Sequence, residues 1–408
     1  MITIARMTVA GVGALASVAG LAMGAPPQYT IVDLGVIDPG DFGSQGFGVS
    51  PNGIAVGRSI GVSNQAFMWT LDDSQVALPN LDGRPFGVAN DANASGMVVG
   101  TGATTSFGSN PLPLVWQDGE VSQLPLPVGE QFGRAYGVNG DGVTVGSIGS
   151  GSGEFGVIYS GDGATVITTT TKDGSFIRSA FGISNDGLVV GFGIDPDNAA
   201  RNVGFLYDMT TDTATEVGAL PGLNGAIAFG VSDAGHVVGS SMQNQGSGTP
   251  FIWTQDDGIQ AIALPAGTSQ GSARGVNSQG WAVGTASSAF AIPFLYDGEE
   301  TYRLADLLAD ADGWDLSSNT SSSAMGISED GVIVGTGELD GEVRACAMFP
   351  AASCPADCNA DGALNILDFV CFQNEWNAQS EIGDCDANGV YNILDFVCFQ
   401  GVFAAGCE

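Results

Sequence analysis

Short apolar stretches alternate with turn residues along most of the chain. A unit of Gly-[Val/Ile], a few turn residues and then Gly-x-x-Val-Gly recurs seven times. The copies are Gly48–Gly57, Gly87–Gly100, Gly137–Gly146, Gly182–Gly191, Gly230–Gly239, Gly275–Gly284 and Gly326–Gly335. The second copy reads as carrying extra residues in its turn. Asn, Asp, Ser and Gly tolerate positive φ or bond their own backbone, so each copy predicts a β-hairpin. Its glycines keep side chains out where neighbouring strands crowd.

An aromatic or aliphatic third strand follows each hairpin. Phe67-Met68-Trp69, Phe205-Leu206-Tyr207 and Phe251-Ile252-Trp253 are examples. A fourth strand comes next, predicted at Val76–Leu78, Val121–Leu124, Val166–Thr169, Thr215–Val217, Ile259–Leu264 and Tyr302–Leu304. The seventh unit stops at Phe349 and lacks its fourth strand. Tyr29–Leu34 has strand character and belongs to no other unit. A ring closed by the N-terminal strand accounts for both facts. An open stack would have no reason to borrow a strand from the far end. The expected fold is therefore all-β, a seven-bladed β-propeller, with a small helical module after it.

Composition narrows the function classes. The chain has 408 residues, 63 of them glycine, and a formal net charge of −34 from 44 acidic and 10 basic residues. Such a chain repels phosphate backbones and anionic lipid, so no nucleic-acid partner is expected. The N-terminus reads as an export signal over residues 1–24: Arg6, an apolar run from Val9 to Ala22, then Ala22-Met23-Gly24 as the cleavage site. No later stretch is long and apolar enough for a membrane span. Six of the seven cysteines cluster between Cys354 and Cys407, as expected of an oxidising compartment. The expectation is a secreted, periplasmic or cell-surface protein. Its propeller would span 25–350 and its C-terminal module 351–408.

The repeats resemble the HAF family of extracellular repeat proteins. The likeness rests on the seven hairpins, on Ala66-Phe67-Met68-Trp69, and on Asp306-Leu307-Leu308 followed by Gly313-Trp314-Asp315-Leu316. Gln65 stands where the name-giving motif has histidine. The resemblance implies a secreted, propeller-like module and no particular activity.

The C-terminal stretch changes character. Asp357, Asn359, Asp361, Asn365 and Asp368 place oxygen side chains at positions 1, 3, 5, 9 and 12 of a loop, with Gly362 at position 6. Asp384, Asp386, Asn388, Asn392 and Asp395 repeat the spacing around Gly389. The carbonyls of Ala363 and Val390 would serve position 7. Ca²⁺ takes six to eight hard oxygens, and this spacing wraps them around one ion per loop. Two Ca²⁺ ions are expected. Each loop is followed by the same Asn-Ile-Leu-Asp-Phe-Val-Cys-Phe-Gln segment.

This tandem resembles a dockerin, and the resemblance implies attachment to a cohesin-like or cell-surface partner. The residues at positions 10 and 11, Ile366-Leu367 and Ile393-Leu394, are either a docking face or the core between two helices. Cys354, Cys358, Cys371, Cys385, Cys398 and Cys407 are disulfide candidates. One pairing joins the flanking cysteines and lets the inner four pair symmetrically. Six cysteines allow fifteen connectivities. Cys346 is expected as a buried free thiol.

Other chemical signals are weak. Gly267-Thr268-Ser269-Gln270-Gly271 matches a nucleophile elbow, but His236 is the chain's only histidine and no strand–turn–helix context surrounds the serine. Gly151–Gly156 matches a dinucleotide fingerprint without its βαβ setting. Arg84, Arg134 and Arg178 each precede a hairpin glycine and could ring one mouth of the axial channel, favouring an anionic polysaccharide ligand. The leading expectation is a non-catalytic binding or scaffold protein. The alternative is an extracellular glycosidase or lyase with an axial active site.

Overall fold

A computed structural model describes residues 26–406, apart from 72–73, 150–152, 162, 352–355, 359–363 and 387. The expected signal segment therefore lies outside the described residues. Residue contacts divide the chain into Pro27–Ala351 and a C-terminal unit from Ala352 onward.

The larger unit is a β-propeller of seven antiparallel blades built on four strands each, with one short extra strand, Trp314–Asp315, in blade 7. Blade 4 shows the plan: Ile177–Ile183, Leu188–Ile194, Asn202–Asp208 and Thr213–Glu216 pair in chain order. Blades 1 and 2 touch through one parallel bridge, Asn64 to Phe86. The outer strands begin at their turns, earlier than the apolar pattern suggests; in blade 3 the strand is Gly163–Val166. Those outer residues alternate between exposed and half-buried positions, so side-chain pattern alone locates their ends poorly.

Tyr29–Asp33 closes the ring. It pairs antiparallel with Glu342–Pro350, Tyr29 opposite Pro350 and Asp33 opposite Cys346. Tyr29 is fully buried, and its hydroxyl donates to the Gly331 carbonyl at 3.2 Å. The segment marked by Trp314-Asp315 pairs with the second strand of blade 7, and Trp314, Leu316, Leu304 and Leu307 pack beneath it.

The core is divided among the blade junctions. One apolar cluster fills each interface: Val56, Ala66 and Leu78 meet Ala89, Val98 and Trp116 between blades 1 and 2, for example. Leu34, Val334 and Ala347 meet Ala55, Phe67 and Trp69 where the ring closes. Each blade buries both faces, and so its strands read as apolar runs as well as alternating ones.

The recurring turn has two tasks. In blade 3 the Asn139 side-chain oxygen accepts from Val143 N at 2.9 Å, while its amide donates to Ser184 O of blade 4 at 3.3 Å. Asn93 does the same toward Asn139 O at 3.0 Å, and Asn277 toward Ser328 O at 3.4 Å. The Asn of the motif thus shapes its own hairpin and ties it to the next blade. The motif's last glycine is a steric requirement: a Cβ at Gly146 would stand 1.9 Å from Arg134 O.

The second repeat differs from its sequence reading. Its hairpin joins Ala92 to Val98 across Asn93–Met97, the same turn length as Val138 to Thr144 in blade 3. No residues are inserted. The position held by the motif's first glycine elsewhere is occupied by Asp91, and Gly87 stands four residues earlier in the strand.

Cys346 is free and buried in blade 7. Burial first, and then the nearby Asp33 charge, push its thiol up to about 12. Iodoacetamide at about pH 8 should leave Cys346 unlabelled in the native protein and label it in guanidinium, since only the thiolate reacts. Peptide mapping reads the difference, and native labelling would contradict the burial.

The C-terminal unit has two helices, α1 (Ile366–Ala378) and α2 (Ile393–Ala405). Each starts with a capping box. Asn365 and Asn392 are the N-caps, and Asp368 and Asp395 accept back from the cap N–H groups. Phe372 stacks on Phe399 at 4.3 Å, and Phe369, Trp376, Phe396 and Phe403 complete an aromatic core. Disulfides Cys358–Cys371 and Cys385–Cys398 staple each helix to its preceding loop. They fit an extracellular environment. Cys354 and Cys407 lie outside the described residues. No helix among the described residues is long and apolar enough to cross a membrane.

Candidate functional site

The innermost strand of every blade carries a β-bulge just before the motif's first glycine position. The register shifts fall between Gly46 and Gly48, Ala89 and Asp91, Ala135 and Gly137, Ala180 and Gly182, Ala228 and Gly230, Ala273 and Gly275, and Ala324 and Gly326. A bulge adds a residue and re-aims its side chain. The added residues are Phe47, Asn90, Tyr136, Phe181, Phe229, Arg274 and Met325, and all seven line an axial cavity of 420 Å³. The fold is thus built sevenfold around a channel whose wall is free to vary.

Three aromatic residues form an arc on one side. Tyr136 meets Phe181 edge-on at 5.3 Å between centroids, and Phe181 meets Phe229 at 5.5 Å. The Arg274 guanidinium carbon lies 3.8 Å from the Phe229 centroid and continues the arc. Burial holds this guanidinium below the usual arginine range.

Asp91 and Asn90 belong to blade 2. Asp91 Oδ1 accepts from Ala92 N at 2.9 Å, and Oδ2 accepts from Val138 N of blade 3 at 3.0 Å. Burial pushes the carboxyl up to about 7, against the pull of these two N–H donors. Among the described channel-lining residues it is the one carboxylate. The Asn90 amide donates to Ala135 O at 2.7 Å.

The arginines singled out in the sequence are placed differently from one another. Arg134 lines a side groove with Arg58, Phe86 and Tyr136, and stands 3.8 Å from Glu154. Arg84 donates to the neighbouring Gly83 carbonyl at 3.2 Å. Arg178 sits at a second irregularity of its strand, between Ile177 and Ser179. Among the described residues, Arg274 is the arginine that reaches the axial cavity. Sequence reasoning missed both Arg274 and Asp91. Aligning the copies on their closing Gly-x-x-Val-Gly would have shown Asp91 in a glycine's place and the variable residue before it.

The remaining motifs are structural. The Ser269 hydroxyl meets Ser287 O, whereas His236 Nδ1 meets Ser232 Oγ at 3.3 Å. Residues 151–152 of the glycine-rich motif lie outside the described residues, and Gly156 belongs to a blade 3 strand.

A second candidate site lies in the C-terminal unit. Carboxylate oxygens of Asp384, Asp386 and Asp395 all lie within 4.8 Å of one another, so this group could hold a metal ion. Asp395 is fully buried; its Oδ2 accepts from Asn392 N at 2.7 Å, and its Oδ1 accepts no hydrogen bond among the described residues. Asn388 N donates to Asp384 Oδ1 at 3.1 Å, and Gly389, with φ +75°, donates to Asp384 Oδ2 at 2.7 Å. The orphan oxygen and the crowding of like charges both fit a cation. In the first loop, Asn359, Asp361 and Ala363 lie outside the described residues; Asn365 and Asp368 repeat the cap seen at Asn392 and Asp395.

Ile366, Leu367, Ile393 and Leu394 are exposed by 71%, 54%, 71% and 56%, and so they are surface rather than core. Val370 and Val397, one turn further on, are exposed as well.

No protein-family model matches the sequence, and no curated protein matches it. Among solved structures, the chain is similar to an oligogalacturonate lyase in complex with manganese, with TM-score 0.50 and 12% identity over 81% of this chain and 95% of that one. It is similar to a virginiamycin B lyase from Staphylococcus aureus, with TM-score 0.49 and 14% identity over 79% of this chain and 99% of that one. For TolB from Acinetobacter baumannii the TM-score is 0.42 and the identity 11%, over 64% of this chain, which spans 62% of TolB's length. At such identities the likeness is one of fold. It sets the large unit among the β-propellers, a class in which chemistry belongs to the site and not to the scaffold.

Proposed function

We propose that the chain is an exported, non-catalytic binding or scaffold protein of the HAF-repeat type. Its propeller presents a ligand surface for polysaccharide, and its C-terminal module is a dockerin-like attachment unit that holds two Ca²⁺ ions. The observation that carries the module's part is Asp395: a buried carboxylate with an orphan oxygen beside Asp384 and Asp386. With Asn388, Asn392 and the Val390 carbonyl these residues make the oxygen set that Ca²⁺ takes. Asp357, Asn359, Asp361, Ala363, Asn365 and Asp368 would hold the second ion.

The exposed pairs Ile366-Leu367 and Ile393-Leu394 occupy equivalent places on two helices. Apolar surface repeated in this way supports docking to a cohesin-like or cell-surface partner. The alternative reading is an extracellular carbohydrate-active enzyme. It draws on Asp91, whose carboxyl titrates where an acid catalyst would. Hydrolysis by paired carboxylates needs a partner for it.

Two measurements separate these readings. On a glycan array followed by product analysis, retention without released products is expected; released or unsaturated products would move the protein to the enzyme class. On immobilised cohesin domains with calcium, wild type should be retained and Leu367→Asp/Leu394→Asp should not. Equal retention of both would remove the apolar pairs from the docking face.

A further inference from the structure

The axial channel holds a cation, Arg274, that pairs with no carboxylate among the described residues. The chain has 44 acidic residues against 10 basic ones, so carboxylate partners are plentiful. Arg134, Arg201 and Arg344 each meet at least one. Arg274 makes no ion pair among the described residues, and its guanidinium carbon lies 3.8 Å from the Phe229 ring centroid. A half-buried guanidinium has lost part of its hydration, and an anion in the cavity would supply the charge partner that the described residues do not. Its place is no accident of the surface, because the blade 6 bulge aims it into the cavity with the six equivalent residues.

We infer that the axial channel binds a uronate unit of an acidic polysaccharide, with Arg274 receiving the carboxylate and the Phe181–Phe229 arc covering one face of the sugar ring. This assignment rests on the reading of the propeller as a ligand-binding surface and gives that surface a place and a chemistry. A planar guanidinium presents paired donors that match a carboxylate. The aromatic arc offers apolar area to the C–H face of a pyranose. Asp91 and Asn90 of blade 2 supply acceptors for hydroxyl groups. The cavity's 420 Å³ lies in the range of small-ligand sites.

Asp91 lines the same wall and is charged like the ligand when ionised. Binding should therefore strengthen as the pH falls through about 7. The other charged or titratable groups facing the channel and its adjoining groove are Arg274, Tyr136, Arg58 and Arg134, the last with Glu154 beside it.

The test is calorimetry on the full chain with galacturonate and glucuronate oligosaccharides, their methyl esters and neutral counterparts. The acids should bind, and the methyl esters should bind at least about tenfold more weakly, a factor worth about 1.4 kcal/mol. Arg274→Gln should lose at least about tenfold for the acids alone, and Arg274→Lys should recover part of the loss. Asp91→Asn should remove most of the pH dependence. Unchanged melting of the two Arg274 variants, and a single cooperative propeller transition for Asp91→Asn, show that the ring is intact. Equal binding of acid and ester, or uronate binding that survives Arg274→Gln, overturns the channel assignment and leaves a glycan-binding propeller standing. Simple acetate competing as well as the sugar acid overturns the sugar part. Absence of binding to every glycan overturns both readings.

Discussion

Asp91→Asn should flatten the pH dependence of the propeller's stability, gaining up to about 4 kcal/mol on the wild type between about pH 4 and pH 8. The sign follows from the direction of the shift. The carboxyl titrates near 3.8 when the chain is unfolded and at about 7 in the fold. Between those values the folded protein keeps a proton that the unfolded chain releases. Acid therefore favours the fold; stability falls as pH rises through this window and stays low above it. Water in the open channel reduces the effect below its ceiling. Asparagine has no such titration. It keeps one acceptor for the Ala92 or Val138 N–H and turns an NH₂ toward the other, a loss of about 1–3 kcal/mol at every pH. That offset is constant, so the slope of the difference isolates the carboxyl. Asp91→Gly, the residue that the other blades use, should flatten the curve as well. Thermal or urea melts of the full chain across this range supply the measurement. Parallel curves for wild type and Asp91→Asn would show that the carboxyl is not perturbed.

The same position explains what the sequence discloses and what it hides. Hairpins, blade number and ring closure are legible because each depends on local chemistry repeated many times. Asn139 must shape a turn and reach Ser184, and Gly146 must leave out a Cβ that would stand 1.9 Å from Arg134 O, so Asn or Ser and then Gly recur at these places. Tyr29–Asp33 is legible because strand arithmetic leaves a vacancy for it. The channel wall is hidden for the converse reason. A bulge fixes the backbone and leaves the side chain unconstrained, and so the seven residues share a position but not a residue type. Reading the second copy from its first glycine also placed an insertion where the structure has a substitution. Counting back from Gly100 leads to Asp91.

Arginines are a related case. Arg84, Arg134 and Arg178 stand close to hairpin glycines in sequence, but bulges and irregular pairing give them unlike surroundings. Arg274 directly precedes Gly275 and shares its offset with Phe47, Tyr136, Phe181, Phe229 and Met325. Position relative to the bulge, not residue type, decides which side chain faces the channel. In the C-terminal module the apolar pairs show the same limit. Ile366-Leu367 could be core or surface by spacing alone, and it is the aromatic residues of both helices, with Phe372 and Phe399 fully buried, that take the core.

Calcium removal should destabilise the C-terminal module by about 4 kcal/mol when the ion had been present at about a thousandfold its dissociation constant. The propeller transition should not move, because the metal-ligating set belongs wholly to the other unit. Calorimetry of the full, disulfide-intact chain in Ca²⁺ and in chelator would resolve the two. Without a cation, carboxylate oxygens of Asp384, Asp386 and Asp395 are held within 4.8 Å of one another and repel. Asp395 has two tasks, and substitutions separate them. Asp395→Asn keeps an acceptor for the Asn392 N–H and loses the charge, so it should weaken Ca²⁺ while retaining most of the α2 cap. Asp395→Ala loses both and should fall by a further 0.5–2 kcal/mol or so even in chelator, the usual range for a helix cap. Asp384→Asn should weaken Ca²⁺ without touching the cap. Titration of chelator-stripped protein with CaCl₂ should count two ions in the wild type and one tight ion in each of the three second-loop variants. A module transition indifferent to chelator, with no heat on CaCl₂ addition, would reduce the capping boxes to their helix-starting role and leave the orphan Asp395 oxygen without a cation.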